Sequence, residues 1–339
     1  MESRYDHILT PNLHIGGWFD TFLEGTLKNF GALTERAGDD PARAQRLVIG
    51  PWFHIPWARV VGGRDFGEEA NNFLDELQLR WFDHWLKGAD TGLLDEPPVR
   101  VFVMGANRFR SADSWPPAGV RVQEWYLHSQ GRAPSLSGDG SLSREAPGQE
   151  PPDVFAYLPH APVPSLGGRS CCLPDTAPMG AFEQTAVEIR NDVLIYSSPP
   201  LDHDLEVIGT VELTLFAATD MVDTDWAVKL VDVDEDGRAY NLCDGILRAR
   251  YRDSLERPTL LEPGRVYEYR IRVGSTANLF RRGHRLRIEI SSSNYPHYDV
   301  NPNTGARTGE ATLLDARVAT QVVFHDGDRA SRLHLPVLP

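Results

Sequence analysis

Leu13-His14-Ile15-Gly16-Gly17-Trp18-Phe19-Asp20 and Leu47-Val48-Ile49-Gly50-Pro51-Trp52-Phe53-His54 decide the fold of this chain. Each is a short apolar run that stops at glycine, continues into an aromatic pair and ends on a residue able to carry acid–base chemistry. Runs without polar alternation read as strands buried on both faces, as in a parallel sheet. Between them, Phe22, Leu23, Thr26, Leu27 and Phe30 recur at helical spacing over Thr21 to Arg36. Asp20 stands where a helix N-cap is wanted. Strand, helix, strand in that order brings Asp20 and His54, 34 residues apart, to one edge of the sheet. That edge is where α/β folds bind ligands.

Working outward, Ala70, Phe73, Leu74, Leu77, Trp81 and Trp85 predict a helix over about Glu68 to Lys87, stopped by Gly88. The pattern changes after Pro97-Pro98. Val99 to Gly105 alternates as a strand, and Ser129 to Pro152 is a Gly-, Ser- and Pro-rich loop. Alternation then recurs at Val211/Leu213/Leu215, Tyr267/Tyr269/Ile271/Val273, Leu286/Ile288/Ile290 and Leu333/Leu335/Val337. Short strands divided by turn residues point to an antiparallel sandwich. The expected organisation is an α/β region over residues 1–92 and a β-sandwich over 93–339.

The chain has 339 residues, 41% hydrophobic and 24% charged, with a formal net charge of −14. That balance gives a normal globular core and argues against nucleic acid or an anionic membrane as partner. No apolar run approaches the roughly 20 residues of a membrane span. Cys171, Cys172 and Cys243 form neither a disulfide framework nor a spaced zinc motif, so ordinary thiols and a cytoplasmic setting are expected. No metal or cofactor is expected. Asp232-Val233-Asp234-Glu235-Asp236-Gly237 resembles the start of a calcium loop, but the twelfth position is Cys243 where a bidentate Glu is needed. A hairpin turn is the better reading.

A carboxylate and an imidazole at strand ends are two members of a Ser–His–Asp triad. The imidazole would take the proton of a serine hydroxyl, and the carboxylate would fix the ring and stabilise the imidazolium. Aspartate precedes histidine here, as the α/β-hydrolase order requires, so the serine belongs upstream. Only Ser3 lies there. The sequence holds no G-x-S-x-G, and Gly168-Arg169-Ser170-Cys171-Cys172 matches its first half only.

With these residues, the chain resembles the C-terminal portion of the CocE/NonD hydrolases, a family of esterases, α-amino acid ester hydrolases and X-Pro dipeptidyl-peptidases of the S15 type. The matching segments are Leu13–Asp20, Gly50–His54, Leu79–Gly88, Val99–Arg110, Pro162–Gly168, Asp225–Arg252 and Thr276–Gly305. The resemblance implies that Asp20 and His54 are the catalytic Asp and His. It also implies a partial α/β-hydrolase domain, its C-terminal strands and helices only, followed by an all-β jelly-roll sandwich. Family members carry the nucleophile in an N-terminal G-x-S-Y-x-G elbow, absent here, so the chain is expected to be inactive alone: a fragment, a chain with a misassigned start, or half of a split enzyme. The expected function is that of a serine hydrolase, a carboxylesterase or amidase acting on a small-molecule ester or amide, with Trp18, Phe19, Trp52 and Phe53 walling the acyl site. Phe22 and Leu23 stand where the amino-ester hydrolases place carboxylates for the substrate's ammonium, which implies uncharged acyl groups here. The other readings are an X-Pro dipeptidyl-peptidase acting on peptides, a non-catalytic sandwich that binds ligands, and a half that needs its complement. The expected partners are that missing N-terminal half or a second copy of the chain, because a sheet cut in mid-domain exposes a strand edge.

Overall fold

The computed structural model describes residues 2–38, 40–172, 175–307 and 309–339. The first sheet has four strands in the order β1 (Asn12–Phe19), β2 (Gln45–Phe53), β5 (Val99–Val103), β6 (Arg108–Ala112). A two-stranded ribbon, β3 (Val60–Val61) and β4 (Arg64–Asp65), follows β2. β1, β2 and β5 run parallel, and β6 returns antiparallel to β5. Successive side chains of a strand face opposite sides, and β2 shows both sides covered. Leu47 and Ile49 join the core that holds Leu23, Leu27 and Phe30 of α1 (Leu23–Ala37). Val48 and Trp52 pack with Leu74, Leu77 and Trp81 of α2 (Leu74–Lys87). That double cover is why β2 reads as an unbroken apolar run. Each of these fully buried side chains is worth about 1.5–3 kcal/mol.

Two details differ from the sequence reading. The helix expected from Glu68 is a 3-10 turn, Glu68–Ala70, then a break before α2, where Asn72 Oδ1 accepts Leu74 N at 2.9 Å. Gly88 closes α2 in the left-handed region, as expected. Strands β5 and β6 lie beyond residue 92, yet they are hydrogen-bonded into the first sheet. Alternation shows that a segment is a strand, whereas its pairing partner is set by distant backbone.

The remaining eleven strands form one large sheet: β7 (Arg121–His128), β8 (Ser141–Ser143), β9 (Asp153–Tyr157), β10 (Leu194–Ser197), β11 (Leu205–Thr219), β12 (Asp225–Val233), β13 (Ala239–Arg248), β14 (Tyr267–Phe280), β15 (Arg285–Ser291), β16 (Ala319–Phe324) and β17 (Arg332–Leu338). The alternating runs from Val211 onward lie in β11, β14, β15 and β17. β8 falls inside the stretch read as loop. The acidic run is a hairpin turn between β12 and β13, with Asp234 Oδ1 accepting Arg238 N at 2.8 Å. The sheet folds back until β13 and β14 touch: a Cβ on Gly245 would lie 2.0 Å from the Arg272 carbonyl oxygen. The two sheets share a single hydrophobic core and are joined at the end of β5, where Met104 N donates to Ala277 O at 2.9 Å and Leu279 N to Met104 O at 2.7 Å.

The large sheet also buries charge. Arg287 reaches Glu188 at 2.7 Å, and Lys229 lies 3.5 Å from Glu289. Burial outweighs the lysine and pushes the Glu289 carboxyl up from 4.5 to about 7. A carboxyl whose pKa is raised by folding stabilises most below its unfolded pKa, and the contribution is lost as pH rises through the folded pKa. Denaturation midpoints are therefore expected to fall between about pH 4.5 and 7, and Glu289→Gln to flatten that fall. An unchanged slope in Glu289→Gln would refute the assignment.

Candidate active site

Asp20 directly follows β1, and His54 directly follows β2. Parallel pairing aligns Gly17 with Gly50 and Phe19 with Phe53, so both residues leave the sheet at the same edge. The two glycines permit this. A Cβ on Gly17 would lie 2.0 Å from the Trp52 carbonyl oxygen, and one on Gly50 2.3 Å from the Trp52 ring. No other residue lets the chain close so tightly at those places.

Asp20 is 5% exposed. Its Oδ1 accepts the Phe22 backbone N–H at 2.9 Å, which ties the carboxylate to the entry of α1. His54 Nδ1 lies 3.3 Å from Asp20 Oδ1 and 3.4 Å from Oδ2. The His54 side chain is 35% exposed, so Nδ1 faces the carboxylate while the ring keeps access to solvent. A carboxylate on Nδ1 selects the tautomer whose Nε2 can accept a proton. The Phe22 ring meets the imidazole edge-on at 4.9 Å and is 59% exposed.

Three of the four aromatics expected to wall the site turn into the core. Trp18, Phe19 and Trp52 are fully buried in the core. Trp18 Nε1 donates to Phe102 O at 2.6 Å, and Trp52 Nε1 to Ala70 O at 2.7 Å. Phe53 is half-buried and packs on the same core. The open ring beside His54 is Phe22, and its one signal in the sequence is proximity to Asp20.

Among the described residues, His54 makes its hydrogen-bonding contacts with Asp20 and with no serine, threonine or cysteine. Ser170 is buried, and its hydroxyl donates to Ala177 O at 2.6 Å. A second Ser–His–acid cluster lies deep in the large sheet. His325 Nε2 is 3.1 Å from Ser129 Oγ and 2.9 Å from Asp153 Oδ2, and its Nδ1 is 3.0 Å from Glu150 Oε2. This cluster is no catalyst. Both ring nitrogens face carboxylates and Ser129 is buried. Burial opposes charge on His325, yet the Asp153 hydrogen bond and Glu150 outweigh it and raise its pKa.

Cys171 and Cys172, expected as free thiols, are joined in a disulfide between neighbours. Only the folded loop brings their sulfurs together, and residue spacing carries no signal for it. Cys171 lines a cavity of about 260 Å³ together with Thr21, Ser170, Thr176, Ala177, Pro296 and His297, so the large sheet's loops reach the residue next to Asp20. A larger cavity of about 450 Å³ between α2 and the first sheet touches neither Asp20 nor His54. Its Arg46 and Arg80 are engaged with Glu96 and backbone carbonyls. Among the described residues, no group of three His, Cys, Asp or Glu could hold a metal, and no helix is long and apolar enough to cross a membrane.

Comparison with known proteins places these features. Residues 91–334 match the family model of the X-Pro dipeptidyl-peptidase C-terminal non-catalytic domain, and residues 1–56 match that of the X-Pro dipeptidyl-peptidases of the S15 family. The chain is 38% identical to the cocaine esterase of Rhodococcus sp. (strain MB1 Bresler) over 339 residues, 99% of this chain and 58% of that esterase. Among solved structures, an aminopeptidase from a marine sediment Thaumarchaeota archaeon superposes with a TM-score of 0.88 at 29% identity, covering 100% of this chain and 56% of that one. An α-amino acid ester hydrolase gives 0.85 at 27%, covering 97% of this chain and 56% of that one. The chain thus spans a little over half the length of these relatives. It belongs to the CocE/NonD family of hydrolases and corresponds to the C-terminal portion of its members.

Proposed function

We propose that this chain supplies the acid–base half of a serine hydrolase that cleaves ester or amide bonds. The observation that carries the proposal is the His54 imidazole held against the buried Asp20 carboxylate at the end of two parallel strands. In this reading His54 Nε2 takes the proton of a serine hydroxyl as it attacks the substrate carbonyl, then returns it to the departing alcohol or amine. Asp20 stabilises the imidazolium between those steps. The serine belongs to a segment outside this chain. The first sheet is then the C-terminal end of an α/β-hydrolase sheet, and the large sheet a jelly-roll sandwich. β1 is the outer strand of the first sheet, and its free edge suits pairing with that further segment.

The exposed Phe22 beside His54, followed by the buried Leu23, supports uncharged acyl groups. An ammonium placed there would lose its hydration without gaining a carboxylate. The protein assayed together with its nucleophile is expected to prefer esters lacking an α-amino group over matched esters that carry one. A strong preference for the amine would turn the reading towards an amino-ester hydrolase or an X-Pro dipeptidyl-peptidase.

A further inference from the structure

We propose that Glu24 is a positioning residue through which the large sheet sets the geometry of Asp20 and His54. The inference rests on the reading of those two residues as an acid–base pair. The orientation of Asp20 is fixed at the mouth of α1: its Oδ1 holds Phe22 N, and its carbonyl accepts Leu23 N at 3.0 Å. Whatever holds the first turn of α1 therefore holds the carboxylate.

Glu24 stands in that first turn. A glutamate at such a place is normally solvated, with its charge favoured by the helix dipole. Here the carboxylate instead collects donors from the large sheet and its loops. Oε1 accepts Arg169 Nη1 at 3.0 Å and the Ser275 backbone N–H at 2.9 Å. Oε2 accepts Arg272 Nη2 at 2.6 Å and Ser275 Oγ at 3.3 Å. Ser275 and Arg272 lie on β14, more than 240 residues further along the chain.

Arg169 is the deepest of these partners, with its side chain 11% exposed. Its other nitrogen donates to the Asp244 backbone carbonyl on β13. It also precedes Ser170 and Cys171, which wall the cavity beside Thr21. One carboxylate thus ties the helix that orients Asp20 to β14 of the large sheet and to the loop facing it. Charge-assisted hydrogen bonds of this kind are short and directional, suited to fixing a position as well as holding two parts together. The region matched by the non-catalytic domain model thereby acts on the acid–base pair at a distance.

The test uses the chain itself, labelled with ¹⁵N, and reads the exchange of the His54 Nδ1–H proton with solvent. The signal is assigned by its loss in His54→Gln, and Asp20→Asn removes its protection. Glu24→Gln keeps the side-chain shape but removes the charge, and places an amide N–H₂ against donors. Exchange is then expected to speed by about tenfold, the equivalent of one hydrogen bond, with partial recovery in Glu24→Asp. Unchanged exchange in Glu24→Gln, whatever happens to its unfolding midpoint, would mean that Glu24 only holds the sheets together, and would overturn the inference alone. No protected Nδ1–H in the unsubstituted chain would overturn the acid–base reading and the inference with it. Should Glu24→Gln fail to fold, Arg272→Ala gives the same reading, because it removes a half-exposed donor and leaves the Arg169 pair in place.

Discussion

His54→Ala is expected to lower the kcat of a hydrolase assembled from this chain and its nucleophile by about 10⁴- to 10⁶-fold, the scale set by disabling a triad aspartate at the low end and its histidine at the high end. KM moves little, because the imidazole acts on a proton in flight and contributes little to ground-state binding. Stability changes little as well. The ring is 35% exposed on its side chain and meets Asp20 and Phe22 at the sheet edge, so its removal opens no closed cavity. Asp20→Asn is expected to follow with a similar loss, because an amide neither fixes the Nδ1–H tautomer nor stabilises the imidazolium. Steady-state kinetics paired with denaturant midpoints check both. A kcat within tenfold of the parent in His54→Ala would remove His54 from the mechanism.

Arg250→Ala is expected to destabilise the chain by about 3–5 kcal/mol, the usual cost of leaving a buried charge without its partner. Asp223 is fully buried. Its carboxylate accepts Arg250 N at 3.0 Å, Arg250 Nε at 2.8 Å and Asn301 Nδ2 at 2.9 Å. Asn301 also donates to Asp225 Oδ1 at 2.8 Å, and Asp225 is paired in turn with Arg248 at 2.9 Å. Deleting the arginine side chain leaves Asp223 with Asn301 and a backbone N–H but without its countercharge, and loosens the network that fixes the start of β12. The exposed pair Arg265–Glu262 is the control, since water already solvates both charges and Arg265→Ala leaves the midpoint in place. Guanidinium unfolding of the two variants tests the contrast; equal midpoints would show that the buried network carries no stability.

The candidate pair was legible because its signal is local. Apolar runs ending in glycine, an aromatic pair and a titratable residue mark strand ends in any context, and parallel pairing does the rest. Helix α1, the body of α2, the Gly88 stop, the Asp234 turn and the alternating strands were legible for the same reason. The fate of the aromatics was not. Trp18 and Trp52 follow glycines whose missing side chains let the backbone close up, and the tryptophan rings turn into the core. A wall and a core look alike in sequence when both want large apolar rings. The Cys171–Cys172 bond lay equally beyond reach, since adjacent cysteines bond only where the loop turns their sulfurs together.

By itself the sequence determined most of the periodic elements, the edge of the sheet at which Asp20 and His54 emerge, and the family. Periodicity, turn chemistry and a short motif are properties of neighbouring residues. Only the tertiary structure decided that β5 and β6 extend the first sheet, that Phe22 is the open ring at the site, and that Glu24 is gripped by Arg169, Arg272 and Ser275. Those outcomes depend on which distant backbones meet. A carboxylate in the first turn of a helix reads the same whether it faces water or a strand 250 residues away.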